Sequence, residues 1–170
     1  MDFKAHIRDI PDWPKPGVIF KDITPLVRDT VAFKAAVDAL AGHYRPRSID
    51  LVVSVEARGF IFGGALAYVL GAGFVPARKP GKLPWTKIRA EYSLEYGTDA
   101  IEMHQDAIVK GQRVLVFDDV LATGGTIAAT IQLVTALGGD VVGTAFLIDL
   151  TFLHGSNRLK GYEVFSLMQY

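Results

Sequence analysis

Val114-Leu115-Val116-Phe117-Asp118-Asp119-Val120-Leu121-Ala122-Thr123-Gly124-Gly125-Thr126 joins strand-forming residues to two adjacent carboxylates and a small, hydroxyl-rich turn. The run Val114–Phe117 is β-branched and aromatic without polar alternation, which predicts a strand covered on both faces in a parallel sheet. Asp118 and Asp119 then fall at its carboxyl end, where open α/β sheets bind their ligands. Ala122, Thr123, Gly124, Gly125 and Thr126 offer backbone N–H groups and two hydroxyls at a helix N-terminus, a site suited to a phosphate dianion. Acids beside an anion cradle fit a ligand that is phosphate at one end and hydroxyl-rich at the other, such as a ribose 5-phosphate. A mononucleotide P-loop fails, because no Lys follows the glycines and the required spacing is absent. A dinucleotide fingerprint fails as well, since the turn holds no G-x-G-x-x-G. A plain capped turn would account for one Asp and one Gly, but not for an acid pair followed by Thr-Gly-Gly-Thr.

A second turn has the same plan. Ser54-Val55-Glu56-Ala57-Arg58-Gly59 follows the apolar run Ile49–Val55 and opens the helical stretch Phe60–Leu70. Two such turns on one sheet edge can hold two phosphate groups, and Arg58 adds a permanent multi-donor cation suited to a diphosphate. The bland reading makes Glu56 and Arg58 a surface ion pair. Around these turns, Thr30–Ala41 has helical apolar spacing with Asp29 or Thr30 as cap. Gly73–Arg78 reads as a short strand, Thr126–Leu137 as a helix stopped by Gly138-Gly139, and Val141–Leu150 as a strand. Strands alternating with helices predict an α/β fold with a central, mainly parallel sheet in one domain spanning 1–170. The polar segment Lys79–Gln105, with Pro80, Gly81, Pro84 and Gly97, reads as an irregular lid, an extended hairpin being the alternative.

The chain has 170 residues, no cysteine, and equal numbers of acidic and basic residues, so its formal net charge is zero. That balance argues against nucleic acid or an anionic membrane as partner. Lack of cysteine fits a cytoplasmic protein. Met1-Asp2-Phe3-Lys4 lacks a signal-peptide core, and no apolar run reaches the length of a membrane span. His6, His43, His104 and His154 are too dispersed for a metal site and read as surface or satisfied core residues. Trp13 and Trp85 read as packing groups, Trp85 also as a possible aid to lid closure.

The stretch Val114–Thr126 resembles the phosphoribosyl-diphosphate (PRPP) motif of the type I phosphoribosyltransferases, in the form of their adenine-using members. Pro16–Pro25 resembles that family's base-binding segment, and Glu56-Ala57-Arg58-Gly59-Phe60 its pyrophosphate loop. Arg78–Pro84 and Tyr92–Gly97 resemble its mobile catalytic loop. These matches run in the family's order over most of the chain from residue 11 to about residue 150.

The resemblance implies conversion of adenine and PRPP to AMP and pyrophosphate by a homodimer. It implies a small hood (roughly 1–28 plus C-terminal residues) and a mobile loop at roughly 79–100. Mg²⁺ is the implied cofactor, held mainly through PRPP and water with no protein ligand assigned. In that frame Asp118 and Asp119 take the ribose hydroxyls, and Ala122–Thr126 take the 5′-phosphate. Glu56, Ala57, Arg58, Arg78, Lys79 and Lys82 surround the diphosphate, Arg78 in its own or a neighbouring subunit. Ile19, Phe20, Lys21, Val120 and Glu95 surround the base, with Glu95 managing its protons. Read by pattern only, Ile19 and Phe20 are core residues, Glu95 an exposed loop acid, and Arg78–Lys82 a solvated charge cluster. A base with a 6-oxo group, or a PRPP-sensing regulator without turnover, are the alternatives. A regulator would carry a basic DNA-binding segment, and none precedes residue 20.

Overall fold

The computed structural model describes residues 1–94 and 97–170. In chain order its elements are β1 (Arg8–Pro11), β2 (Ile19–Asp22), α1 (Thr24–Arg28), α2 (Thr30–Tyr44), β3 (Leu51–Val55), α3 (Gly59–Leu70) and β4 (Gly73–Ala77). There follow β5 (Lys87–Ser93), β6 (Thr98–His104), β7 (Arg113–Leu121), α4 (Gly125–Ala136), β8 (Asp140–Asp149) and β9 (Val164–Gln169). Five strands pair in parallel in the order β4-β3-β7-β8-β9. Leu51–Val55 and Val114–Phe117 are buried at every position, as strands covered on both faces must be.

The connection from β3 through α3 leads outward to β4, and that from β7 through α4 leads the opposite way to β8. Right-handed crossovers running in opposite directions put the two helices on opposite faces. Accordingly Leu115 and Phe117 share a core with α2 and α3, while Val114 and Val116 share one with α4. The reversal between β3 and β7 leaves a crevice at their carboxyl ends.

Local signals set most boundaries. Asp29 caps α2, accepting from the N–H groups of Val31 and Ala32 at 3.0 and 2.9 Å. The helix runs past the expected Ala41 to Tyr44, which is fully buried and donates its hydroxyl to the Thr144 carbonyl at 3.1 Å. Gly138, with φ +86°, follows the end of α4. The central strand does not stop at Phe117 but continues to Leu121, so the acid pair lies within the paired strand, Asp118 opposite Phe146.

The segment expected as an irregular lid is the hairpin β5–β6, paired from Lys87↔His104 to Ser93↔Thr98. Its apolar residues Ile88, Ala90 and Tyr92 recur at a spacing of two and face the α4 core. Residues 95 and 96 fall outside the described residues, so the expectation placed on Glu95 does too. At the N-terminus β1 and β2 form a separate antiparallel pair, the hood. Of the C-terminal residues, Val164–Gln169 pairs with β8 in the main sheet, and its side chains pack on α2. Ser166–Gln169 nevertheless shares a surface cleft with Met1–Lys4, and the Tyr170 ring lies under the ammonium groups of Lys4 and Lys21 at 4.6 and 4.0 Å. Trp85 is 64% exposed and packs no core. His104 is half-buried, and its Nε2 is buried without a partner among the described residues, so the ring is neither a surface group nor a satisfied core one.

Glu163 ties the end of α2 to the start of β9. Its carboxylate meets His43 Nε2 at 2.9 Å and Arg47 Nη2 at 2.7 Å, and His43 stacks on Phe165. Burial works to raise the Glu163 pKa, but the bonds from His43 and Arg47 prevail and hold it below the ordinary glutamate value. A depressed folded-state pKa gives stability that is present above the unfolded value and lost as pH falls through the folded one. Urea unfolding should therefore show Glu163→Gln less stable than wild type at pH 7, with the gap closing in acid below about pH 4.5. A gap that stays constant well below pH 4.5 would contradict the role given to this ion pair.

Candidate active site

The crevice between β3 and β7 holds a cavity of about 490 Å³. The hood supplies Val18–Lys21 to one wall and the β3 turn supplies Glu56–Arg58 to another. Asp118, Asp119 and Val120 form the floor, with Leu150 and Lys79 at the margins. A smaller space of about 70 Å³ adjoins it, enclosed by Ala122–Ile127 and shared with Asp118 and Val120. The larger volume is that of a nucleotide-sized site, whereas the smaller suits a single phosphate group.

The small space follows from the way the chain leaves β7. Gly124 stands at the helix cap with φ +80°, a conformation that glycine adopts without strain. No side chain caps α4, so the N–H groups of its first turn are not met by a capping side chain and the positive end of the helix faces the space. Thr126 lines both cavities.

The acids differ in their commitments. Asp119 is 5% exposed and accepts from Arg58 Nε at 2.5 Å. The same guanidinium lies 4.7 Å from the centre of the Phe20 ring, so Arg58 links acid pair to hood. Asp118 borders both cavities, and its only bond from the described residues is from the Asp119 N–H at 2.9 Å. Burial, and then the neighbouring charge of Asp119, push its pKa well above the ordinary aspartate value. A Cβ at Gly59 would sit 2.9 Å from Asp118 Oδ1 and 3.0 Å from Ser54 Oγ, so glycine is needed for α3 to begin this close to the acids. Ser54 is fully buried beside them, and its hydroxyl has no partner among the described residues.

The cations are arranged otherwise than the sequence suggested. Glu56 is not paired with Arg58: it accepts from Arg78 Nε and Nη2 at 2.9 and 2.7 Å and from the Lys79 N–H at 2.6 Å. Burial alone would raise the Glu56 pKa, but these bonds keep it low. Arg78 also donates to the Lys82 carbonyl, and neither Arg78 nor Lys82 borders the cavity. Arg78 points at Glu56 because a buried carboxylate needs a cation more than an exposed turn does. Lys79 does border the cavity, with its ammonium held by Asp99 and by the Tyr92 hydroxyl. Burial lowers the Lys79 pKa, the two partners raise it, and the partners prevail.

In the hood, Ile19 is 55% exposed and lines the cavity, so it is not the core residue its pattern predicts. Edge strands of a two-stranded pair have one bare face, and here that face turns to the crevice. Lys21 borders the cavity too, but its ammonium is taken by Asp9 at 2.7 Å and by the Tyr170 ring. Its main chain is what it has left to offer. Sequence reasoning missed Leu150, Ser54 and the Tyr92–Asp99 pair. That last pair was readable, since the two residues are directly opposite once the hairpin is recognised.

An acid pair beside a phosphate-sized space at the switch point of a parallel sheet is the site of an α/β protein suited to a sugar phosphate. Residues 27–164 match the phosphoribosyl transferase domain. The chain is 57% identical over 169 residues to an adenine phosphoribosyltransferase of Solibacter usitatus, covering 99% of this chain and 98% of that one. A crystal structure of adenine phosphoribosyltransferase from Thermoanaerobacter pseudethanolicus superposes with TM-score 0.97 at 53% identity, over 99% of this chain and 98% of that one. The Saccharomyces cerevisiae enzyme, complexed with an imino-altritol bisphosphate and adenine, gives TM-score 0.94 at 39% identity, over 98% and 96% of the two chains. The chain belongs to the phosphoribosyltransferase family and groups within it with the adenine phosphoribosyltransferases.

Arg58→Ala leaves the buried Asp119 without its cation and beside another acid. Because the Arg58 side chain is 40% exposed, solvent screens part of the loss, and a destabilisation of about 1–3 kcal/mol is expected in urea unfolding. Adding Asp119→Asn should recover part of it. A single variant as stable as wild type would show that Arg58 does not balance the acid pair.

Proposed function

We infer that the protein transfers a 5-phosphoribosyl group from PRPP to adenine, forming AMP and releasing pyrophosphate. The observation that carries this reading is Asp118, placed between a phosphate-sized cradle and a base-sized cavity with acceptor capacity to spare. A sugar whose 5′-phosphate enters the cradle brings its ring hydroxyls to that carboxylate. Its C1′ then faces the larger cavity, with the diphosphate toward Glu56–Gly59.

In the reaction the C1′–O bond to the diphosphate breaks as the C1′–N9 bond to adenine forms, and the N9 proton leaves. Positioning and charge stabilisation supply most of the rate. The N–H groups of Ala57 and Arg58 at the start of α3, together with Lys79, are the groups for the departing diphosphate. Glu56 keeps Arg78 and the Lys79 backbone in place there, and Lys82, whose carbonyl accepts from Arg78, is assigned to the same end. Ile19 and Val120 offer apolar faces for the base and Phe20 an aromatic one. Main-chain groups at Ile19 and Lys21 favour a 6-amino over a 6-oxo edge. Glu95 is assigned to N7 and the proton balance of the purine. The Saccharomyces relative bound to adenine supports this choice of base.

Mg²⁺ fits this donor set, because the hard oxygens of Asp118 and Asp119 stand next to the diphosphate position and would hold it through PRPP and water. When bound, it would neutralise the leaving group. A homodimer is supported by the exposed apolar side chains of Ile61 and Tyr68 on α3 and of Phe74 on the edge strand β4. A cytoplasmic setting is the expectation for a chain without cysteine.

AMP should form from adenine, PRPP and Mg²⁺, with guanine and hypoxanthine giving far less product in parallel. AMP formation that is absent, or slower than turnover of either 6-oxo base, would refute the assignment. Glu95→Gln should lower kcat by about 10²–10⁴-fold while PRPP affinity changes little. A wild-type rate would remove Glu95 from the mechanism.

A further inference from the structure

The short 3₁₀ turn Gly155–Leu159 is pressed against the phosphate cradle. A Cβ on Gly124 would overlap the Gly155 carbonyl and come 3.4 Å from Arg158 Cβ. A Cβ on Gly155 would in turn overlap the Ala122 carbonyl and sit 3.0 Å from Leu121 Cδ1. The two segments can lie this close only because glycine faces the other backbone on each side. Their contact also sets down a cation. Arg158 Nη1 lies 3.4 Å from the point a Gly125 Cβ would occupy, with the Tyr92 ring edge 3.0 Å from that point. Arg158 is exposed, and among the described residues its guanidinium has no hydrogen-bond or ion-pair partner.

The cradle needs such a cation. Ala122–Ile127 carry no charge, and the ionisable residue that lines the small space is Asp118, whose negative charge would repel a phosphate dianion. Main-chain donors and a helix dipole offset part of that repulsion. An arginine, with its fork of donors and fixed charge, can offset the rest from the adjoining turn.

We propose that Arg158 is a phosphate-binding residue of this site. Its guanidinium stands beside Gly125 without lining the empty cradle, and it would supply to the sugar's 5′-phosphate the positive charge that Ala122–Thr126 lack, the Gly124–Gly155 contact holding its turn against that segment. The inference rests on the phosphoribosyl reading above.

Calorimetric titration of wild type, Arg158→Ala and Arg158→Lys with ribose 5-phosphate, and separately with adenine, tests it. In Arg158→Ala the ribose 5-phosphate Kd should rise about fivefold to tenfold at low salt. The difference should shrink as salt is added, adenine binding should be unchanged, and Arg158→Lys should recover most of the affinity. An unchanged ribose 5-phosphate Kd in Arg158→Ala, or an equal weakening of adenine, would overturn this inference only. A wild-type chain that binds adenine but no ribose 5-phosphate would overturn the functional reading together with it.

Discussion

Two carboxylates on adjacent residues at the carboxyl end of a buried strand repel one another, and most of the site can be read as an answer to that repulsion. Asp119 is neutralised from the β3 side by Arg58, which is why the second turn must carry an arginine and lie next to β7. Asp118 is left with burial and its neighbour's charge, and its proton is held more tightly as a result. Asp118, whose carboxylate takes only the Asp119 N–H among the described residues, is the member of the pair open to a ligand's hydroxyl. Gly59 lets α3 begin against the acids, so that the positive end of one helix approaches from each face of the sheet.

The same arrangement separates the charges of the proposed substrate. In the proposed reading a phosphate takes the α4 end, a diphosphate the α3 end, and the sugar lies between them on the acids. The cations are not all free for it. Arg78 is committed to Glu56, and Lys79 to Asp99 and Tyr92. Diphosphate binding must therefore compete with contacts inside the protein. The hairpin that carries Tyr92 and Asp99 thus acts on the diphosphate end by holding Lys79, as well as packing on α4 through Ile88 and Ala90.

The sheet was legible because its two central strands are apolar without alternation, and the helices because Asp29 and Gly138 mark their ends in the ordinary way. The turn Ala122–Thr126 and the small space it encloses were legible since the pattern is local: donors, hydroxyls and glycines follow one another along the chain. The pairing of charges was not. Sequence places Glu56 and Arg58 side by side, yet each finds its partner on another strand, Glu56 at the end of β4 and Arg58 on β7. The extension of β7 through both aspartates was hidden too, because its partner residues lie on β8. Ile19 was misread as core because alternation says that a face is apolar, not what covers it. Gly155 and Arg158 carried no signal in the sequence, since their meaning depends on the Gly124 backbone packed behind them.

A crystal structure with AMP bound would test the central claim most directly, namely that one strand-to-helix segment holds a nucleotide's phosphate while the acids before it hold the sugar. The phosphate oxygens should lie within hydrogen-bond distance of the main-chain N–H groups of Thr123–Thr126, with the ribose hydroxyls at Asp118 and the purine between Ile19 and Val120. A phosphate found at Glu56–Gly59 with the Thr123–Thr126 turn bare, or a ribose turned away from Asp118, would contradict the account.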